Sequence, residues 1–164
     1  MELSHKIAAE ITKYAVEYQA DVIVFEYLEM QGKISGKKKQ KLHLWRKRDI
    51  QKLCEHQVHR NRIRVSRASA RHTSRLACDG SGVVVRNPEN HSLCTFRTGK
   101  QYNCDLSASY NIGARYFIRE LLKPLPETER SSLEAKVPAV KRRTSCVYAD
   151  LRKLYAEVNN LKAG

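Results

Sequence analysis

The run Asp21-Val22-Ile23-Val24-Phe25-Glu26 constrains the fold more than any other part of the chain. Its four apolar residues are consecutive and three are β-branched. Alternate side chains of a strand point to opposite faces, and here neither face is polar, so the run predicts a strand buried on both sides. Ahead of it, Ile7, Ala8, Ile11, Tyr14, Ala15 and Tyr18 recur at spacings of three and four. That pattern predicts a helix over residues 5–19 with those side chains inward and Ser4 as its N-cap. A helix feeding a doubly buried strand points to the α/β class.

Beyond Glu26, residues 31–40 hold two glycines and four lysines and read as a basic loop. A second helix is expected from Leu42 to His59, with Leu42, Trp45, Ile50, Leu53, Cys54 and Val58 inward. Between Arg62 and Arg67, Ile63 and Val65 alternate with arginines, giving a short strand with one basic side. Gly80, Gly82, Pro88, Asn90 and Gly99 fall within residues 76–103, which predicts a small β-rich insert. A third helix is expected from Asp105 to Leu122, burying Leu106, Tyr110, Phe117 and Leu121 and stopped by Pro124 and Pro126. Residues 127–164 read as a polar tail with one helix near 147–158. No internal repeat or low-complexity tract is present.

The net charge is +14, and its placement is more informative than its size. Between Lys33 and Arg75 stand fifteen Lys or Arg against two acids, Asp49 and Glu55. A solvated surface mixes its signs, whereas one lopsided block reads as a phosphate-contacting face and implies a polyanionic partner. The five cysteines, an odd number in a chain of this size, fit a reducing compartment better than a disulfide framework. The N-terminal residues lack the continuous apolar stretch of a secretion signal, and no run is long enough to span a membrane. The expectation is a soluble, cytoplasmic protein with no membrane partner.

Two acids stand out by position. Glu26 closes the apolar strand, and Asp105 opens a helix whose next turns carry Ser107, Ala108 and Asn111. Side chains at the C-terminal ends of strands line the ligand crevice of an open α/β sheet. Carboxylates gathered there are hard oxygen donors suited to Mg²⁺. Taken singly, each acid has a plainer reading: a solvated strand end, and a helix cap.

The segment His5–Leu28, ending VIVFEYL, resembles the helix and strand that deliver the second catalytic acid in RuvC-like domains of TnpB nucleases and type V CRISPR effectors. The segment Asn103–Tyr116, NCDLSASYNIGARY, is similar to their third motif. Thr73-Ser74-Arg75 and Asp79-Gly80-Ser81-Gly82 match the lead-in and first knuckle of the family's zinc-ribbon insert. The resemblance covers roughly residues 5–122. It implies a partial RNase H-like (RuvC-type) α/β domain interrupted by a degenerate zinc ribbon. Residues 1–75 would carry the second acid and the basic helix, 76–103 the insert, 104–123 the final helix with the third acid, and 124–164 a polar tail. Glu26 and Asp105 would then be catalytic carboxylates binding Mg²⁺, in an RNA-guided DNA endonuclease encoded by a transposable element.

Two departures accompany the resemblance. The family's first catalytic Asp belongs to a strand ahead of the matched region, so a partner polypeptide or N-terminal segment is expected to supply it. Without it, the apolar strand is expected to lack a neighbour, and the chain alone is expected to be inactive. The zinc ribbon is also incomplete: Cys78-x₂-Ser81 and Cys94-x₃-Thr98 each offer one thiol and a hydroxyl where a second thiol belongs. His72 and His91 are the donors that could complete four ligands. The favoured reading is a ribbon shape without zinc, Cys78 and Cys94 being its only recognisable ligands. Cys54, Cys104 and Cys146 show no site spacing.

Under the same resemblance, Lys37, Lys38, Lys39, Arg46, Lys47, Arg48, Arg60, Arg62, Arg64 and Arg67 would hold a guide RNA–target DNA duplex by its phosphates. Arg71 and Arg75 would face the single strand entering the active site. Trp45 reads as core rather than a base-stacking residue. The alternative is a catalytically silent nucleic-acid binder, a remnant or an RNA-guided repressor. A small basic protein with no nucleic-acid partner leaves the charge block unexplained.

Overall fold

A computed structural model describes residues 2–27, 38–142 and 144–163, with the side chains of 38–46 and 162–163 outside the description. Most of the expected basic loop, and the inward placement of Leu42 and Trp45, therefore lie outside the described residues. The elements in order are α1 (Glu2–Glu17), β1 (Val22–Tyr27), α2 (Lys38–His59), β2 (Arg64–Ser69), β3 (Val85–Arg86), β4 (Leu93–Thr95), β5 (Gln101–Asn103), α3 (Cys104–Leu122), α4 (Glu127–Lys136), a 3₁₀ turn (Pro138–Lys141) and α5 (Tyr148–Ala163). They mix helices with small sheets, an α/β composition. The chain divides into two compact units, Met1–Arg67 and Ala68–Gly164.

In the first unit, α1 packs along α2. The buried stripe of α1 is Ser4, Ala8 and Ala15, and it meets Cys54 and Val58 of α2. Ala8 and Ala15 are buried as expected, but the stripe is narrower than the expected one: Tyr14 and Tyr18 are 62% and 65% exposed, and Ile7 is on the surface. Small side chains let the two helices approach closely, so that Cys54 Sγ lies 3.8 Å from Ala8 O. The bulky residues are left on the flanks. Ser4 lies inside the helix and is not its N-cap, because α1 already begins at Glu2.

Both helices end in the same way. Gln19 and Arg62 take left-handed conformations, with φ of 51° and 58°. At the first end, Ala20 N donates to Ala15 O at 2.8 Å and Gln19 N to Val16 O at 3.1 Å. At the second, Ile63 N donates to Val58 O at 3.3 Å and Arg62 N to His59 O at 3.2 Å. These are Schellman caps, and the residue after each turn packs back onto the helix it closes. Ala15, Val58 and Ile63, with Ala20, Ile23 and Val65 against them, form this unit's apolar core. The repeated cap also brings the two strand entries together, with Arg64 N donating to Asp21 O at 3.0 Å.

β1 and β2 form a two-stranded sheet. Burial on both faces is not what β1 shows: Val22 to Glu26 are each half-buried and Tyr27 is exposed. Among the described residues β1 has one neighbouring strand, which leaves part of its apolar surface uncovered.

In the second unit, β3, β4 and β5 form an antiparallel meander, registered through Val85↔Thr95, Leu93↔Asn103 and Thr95↔Gln101. Its small core contains Ala77, Cys94, Phe96 and Cys104. The turn at Gly80 docks on the start of α5, where Ala149 N donates to Cys78 O at 2.9 Å. Gly80 has φ of 82°, and a Cβ there would stand 3.0 Å from that of Ala149, so both the backbone and the space call for glycine.

The larger core joins α3, α4, the 3₁₀ turn and α5. Of its eight buried residues, six follow residue 123: Leu133, Val137, Val140, Cys146, Leu154 and Val158. The expected helix near 147–158 is present as α5, while α4 and the 3₁₀ turn were not foreseen and the segment is not a loose polar tail. The inward face of α3 also differs from expectation. Ser107, Asn111, Ala114, Arg115, Ile118 and Leu122 are buried, whereas Leu106, Tyr110 and Phe117 are 46%, 41% and 49% exposed. The hydrogen bonds of Asn111 and Arg115, described below, require that face to point inward.

Candidate functional site

Glu26 and Asp105 belong to different units, and each has its own surroundings. Glu26 is the penultimate residue of β1. Its Oε1 lies 3.1 Å from Lys47 Nζ, in a partly exposed ion pair. Its backbone oxygen accepts from Gln51 Nε2 at 3.1 Å. Gln51 is 6% exposed, and its Oε1 accepts from Arg67 Nε at 3.2 Å. Arg67 Nη2 in turn reaches Glu55 at 3.0 Å. Gln51 therefore couples the strand end to a guanidinium of β2, fixing where that cation points.

Beside this chain of bonds lies a hollow of about 190 Å³ lined by Tyr27, Arg48, Gln51, Lys52 and Arg67. Three of the five residues are cations and none is an acid, and Arg67 among them is ion-paired with Glu55, so the lining is positively charged. Lys47, Arg48, Gln51 and Lys52 come from two successive turns of α2, where the four-residue spacing places 47 beside 51 and 48 beside 52. Tyr27, Gln51 and Lys52 were not singled out in the sequence, although that spacing would have found the last two.

Arg60, Arg62 and Arg64 are exposed where α2 passes into β2. Arg71 and Arg75 are exposed in the second unit. Lys37 and the side chains of Lys38, Lys39 and Arg46 lie outside the described residues.

Asp105 sits in the first turn of α3 but does not cap it. Asn103 is the N-cap, its Oδ1 accepting from Asp105 N and Leu106 N at 2.9 Å each. Relieved of capping, the Asp105 side chain is exposed beside the positive end of the helix, where a carboxylate is stabilised. Its motif companions are structural. Ser107 Oγ accepts from Cys78 N at 3.1 Å. Asn111 is fully buried: Nδ2 donates to Thr73 O at 3.0 Å and Leu76 O at 2.8 Å, and Oδ1 accepts from Tyr148 N at 3.0 Å. One turn on, Arg115 donates to Ser69 O, Arg71 O and Cys146 O at 2.6, 2.8 and 3.1 Å. Burial lowers its pKa from the ordinary value, yet a guanidinium stays charged in proteins. Asn111 and Arg115 thus clasp the segment before the insert and the start of α5 onto α3.

The insert does not gather zinc ligands. Burial, reinforced by Cys104 and Cys78, pushes the Cys94 thiol up to about 11, so it stays protonated near neutrality. Its Sγ donates to Tyr102 O at 3.4 Å. Ser81 and Thr98 are joined through Asp79: the Ser81 backbone N donates to Oδ1 at 2.9 Å and Thr98 Oγ1 to Oδ2 at 3.4 Å. Burial alone would raise the Asp79 pKa, but these bonds and Lys100 outweigh it and hold the carboxyl below its ordinary value. An ionised Asp79 therefore ties the turn at Ser81 to the turn at Thr98 with hydrogen bonds. Cys104 shares the core with Cys94, a proximity that sequence spacing did not reveal. Among the described residues, no three His, Cys, Asp or Glu side chains are grouped to hold a metal, and no helix is long and apolar enough to cross a membrane.

No protein-family model matches the chain, and no curated protein matches it.

Proposed function

We propose that this chain is the C-terminal part of an RNase H-like, metal-dependent DNA endonuclease of the transposon-encoded, RNA-guided TnpB kind. Glu26 and Asp105 act as two of its carboxylates, and a further Asp comes from outside these residues. The observation that carries the reading is the cationic hollow at the end of β1, lined by Tyr27 and by Gln51, which holds the Glu26 backbone oxygen. A nuclease needs an acid next to a seat for phosphate, and that hollow supplies one. Arg48 and Lys52 neutralise the phosphodiester, Gln51 and Glu55 hold the Arg67 guanidinium, and Lys47 balances Glu26.

Glu26 and Asp105 supply the hard oxygen donors that suit Mg²⁺, and both are partly or fully exposed. Bound Mg²⁺ would activate water and stabilise the leaving oxygen. The exposed arginines 60, 62 and 64 offer contacts for the guide–target duplex through its backbone. A ribbon-like insert held by Asp79 leaves zinc no part in this reading.

One observation favours a second reading, a catalytically silent nucleic-acid binder: Lys47 already occupies the Glu26 carboxylate. The two readings separate on Glu26→Gln and Asp105→Asn, assayed for DNA binding and for Mg²⁺-dependent cleavage with the missing segment supplied. The nuclease reading requires each variant to lose cleavage and retain binding. Equal loss of both activities would remove the catalytic assignment, and absence of cleavage with salt-sensitive binding would establish the silent binder.

A further inference from the structure

α3 and α5 lie side by side and leave a trough on the surface of the second unit. Three adjoining hollows make it up, of about 320, 600 and 410 Å³, and Tyr148 lines all three. Tyr110 and Phe117 project from α3, Tyr148 and Tyr155 from α5, and they are 41%, 49%, 37% and 56% exposed. On each helix the two rings are seven residues apart, which is about 10 Å of rise along the axis. The trough thus carries two aromatic steps. In the first, the Tyr110 and Tyr148 rings stand 5.2 Å apart and tilted by 47°. In the second, Phe117 and Tyr155 line one hollow.

Exposed rings in such number form a contact surface, and their chemistry decides what it contacts. A greasy helix or strand would be met by leucines and methionines. Here six lining residues are aromatic against three leucines and no methionine, four of the rings carry hydroxyls, and two cations join the lining. Arg152 lines two of the hollows, and Lys100, its ammonium 4.6 Å over the Tyr102 ring, lines one. Asp79 is the one acid lining any of the three, and it is engaged with Ser81 and Thr98. The second unit has sixteen Lys or Arg against nine Asp or Glu. Flat rings with a cationic border match unstacked bases on a phosphate backbone.

We propose that this trough binds single-stranded nucleic acid, with unpaired bases stacked on Tyr110, Phe117, Tyr148 and Tyr155 and phosphates facing Arg152 and Lys100. The inference rests on the nucleic-acid reading above for the class of ligand, and it adds the strand state and the residues that sense it. Duplex DNA has no bases free to enter the trough, so the site distinguishes single strands from double ones.

The test is fluorescence anisotropy of labelled oligothymidylate, and of a duplex of the same length, with the full chain and without Mg²⁺. Phe117→Ala and Tyr155→Ala each truncate an exposed side chain, so the fold is expected to survive, and circular dichroism checks it. Each is expected to weaken oligothymidylate binding about tenfold while leaving duplex binding unchanged. Tyr155→Trp is expected to retain or raise affinity. Oligothymidylate binding equal to wild type in both alanine variants overturns the proposal. So does an equal loss on single strand and duplex. A gain in solubility or a loss of self-association in those variants, with oligothymidylate binding intact, would assign the trough to a polypeptide partner instead. Neither Phe117 nor Tyr155 takes part in cleavage, so Glu26→Gln separates the two readings: cleavage can fail while ring-dependent binding stands, and the reverse.

Discussion

Asn111→Ala should cost more stability than any other single truncation in α3 of a side chain its size. The Asn111 side chain is fully buried and makes three hydrogen bonds, at 3.0, 2.8 and 3.0 Å. Truncation leaves Thr73 O, Leu76 O and Tyr148 N without those partners. A buried polar group stripped of its partner costs about 1–3 kcal/mol. Some relaxation is expected, so the estimate for three groups is about 4 kcal/mol, a large part of the roughly 5–15 kcal/mol that holds a domain together. Asn111→Asp keeps an acceptor for Tyr148 N but sets a second oxygen against two carbonyls, so it should not rescue. Ser109→Ala, which removes an exposed hydroxyl bonded to Leu106 O, serves as control and should change stability by less than about 0.5 kcal/mol. Urea titration followed by circular dichroism measures all three. A loss below about 1 kcal/mol for Asn111→Ala would refute the clasp and return Asn111 to a purely functional role.

Gln19 is held at φ of 51° in a cap position that favours glycine, so Gln19→Gly should stabilise the first unit by about 1 kcal/mol, read as a higher urea midpoint. Of the five cysteines, Cys78 alone is not buried, so a thiol reagent should label one thiol rapidly in the native chain, and the other four only on unfolding. Cys94, raised to about 11 from 9.0, favours the folded state below its unfolded pKa; that contribution should fade as pH climbs from about 9 towards 11, and Cys94→Ala should flatten this alkaline loss. Replacing Arg48 and Lys52 with Gln should weaken DNA binding and lower the slope of log affinity against log salt by about 2, since each phosphate contact contributes about 0.9 on duplex DNA.

The parts of the fold legible in the sequence were those governed by uninterrupted apolar runs and by turn chemistry. The VIVF strand, the glycine-marked insert and the limits of α3 lie where those signals place them. Orientation was harder to read. Hydrophobic periodicity turned α3 towards Leu106, Tyr110 and Phe117, because it scores Asn111 and Arg115 as surface residues. Their backbone partners lie in distant segments and cannot be counted from sequence. In α1 the same reading placed Tyr14 and Tyr18 inward along with Ala8 and Ala15, whereas close helix packing keeps only the small side chains inside. The tail looked polar because α4 buries one side chain, Leu133, and the core around it is shared among α3, α4, the 3₁₀ turn and α5.

The candidate site divides in the same way. Glu26 and Asp105 could be named from their positions at a strand end and a helix start. Gln51, which joins Glu26 to Arg67, carries no motif, and its role emerges only when α2 is laid against β1 and β2. The aromatic trough was hidden by the assumption that the ring-bearing face of α3 was core.

The most direct test of the central claim is Mg²⁺-dependent cleavage of end-labelled single-stranded DNA by the full chain, mixed with a polypeptide carrying the missing Asp, with Glu26→Gln as control. The account predicts cleavage in the wild-type mixture and none with Glu26→Gln, at undiminished DNA binding. Cleavage that survives Glu26→Gln, or a wild-type mixture that binds DNA and never cuts it, would contradict it.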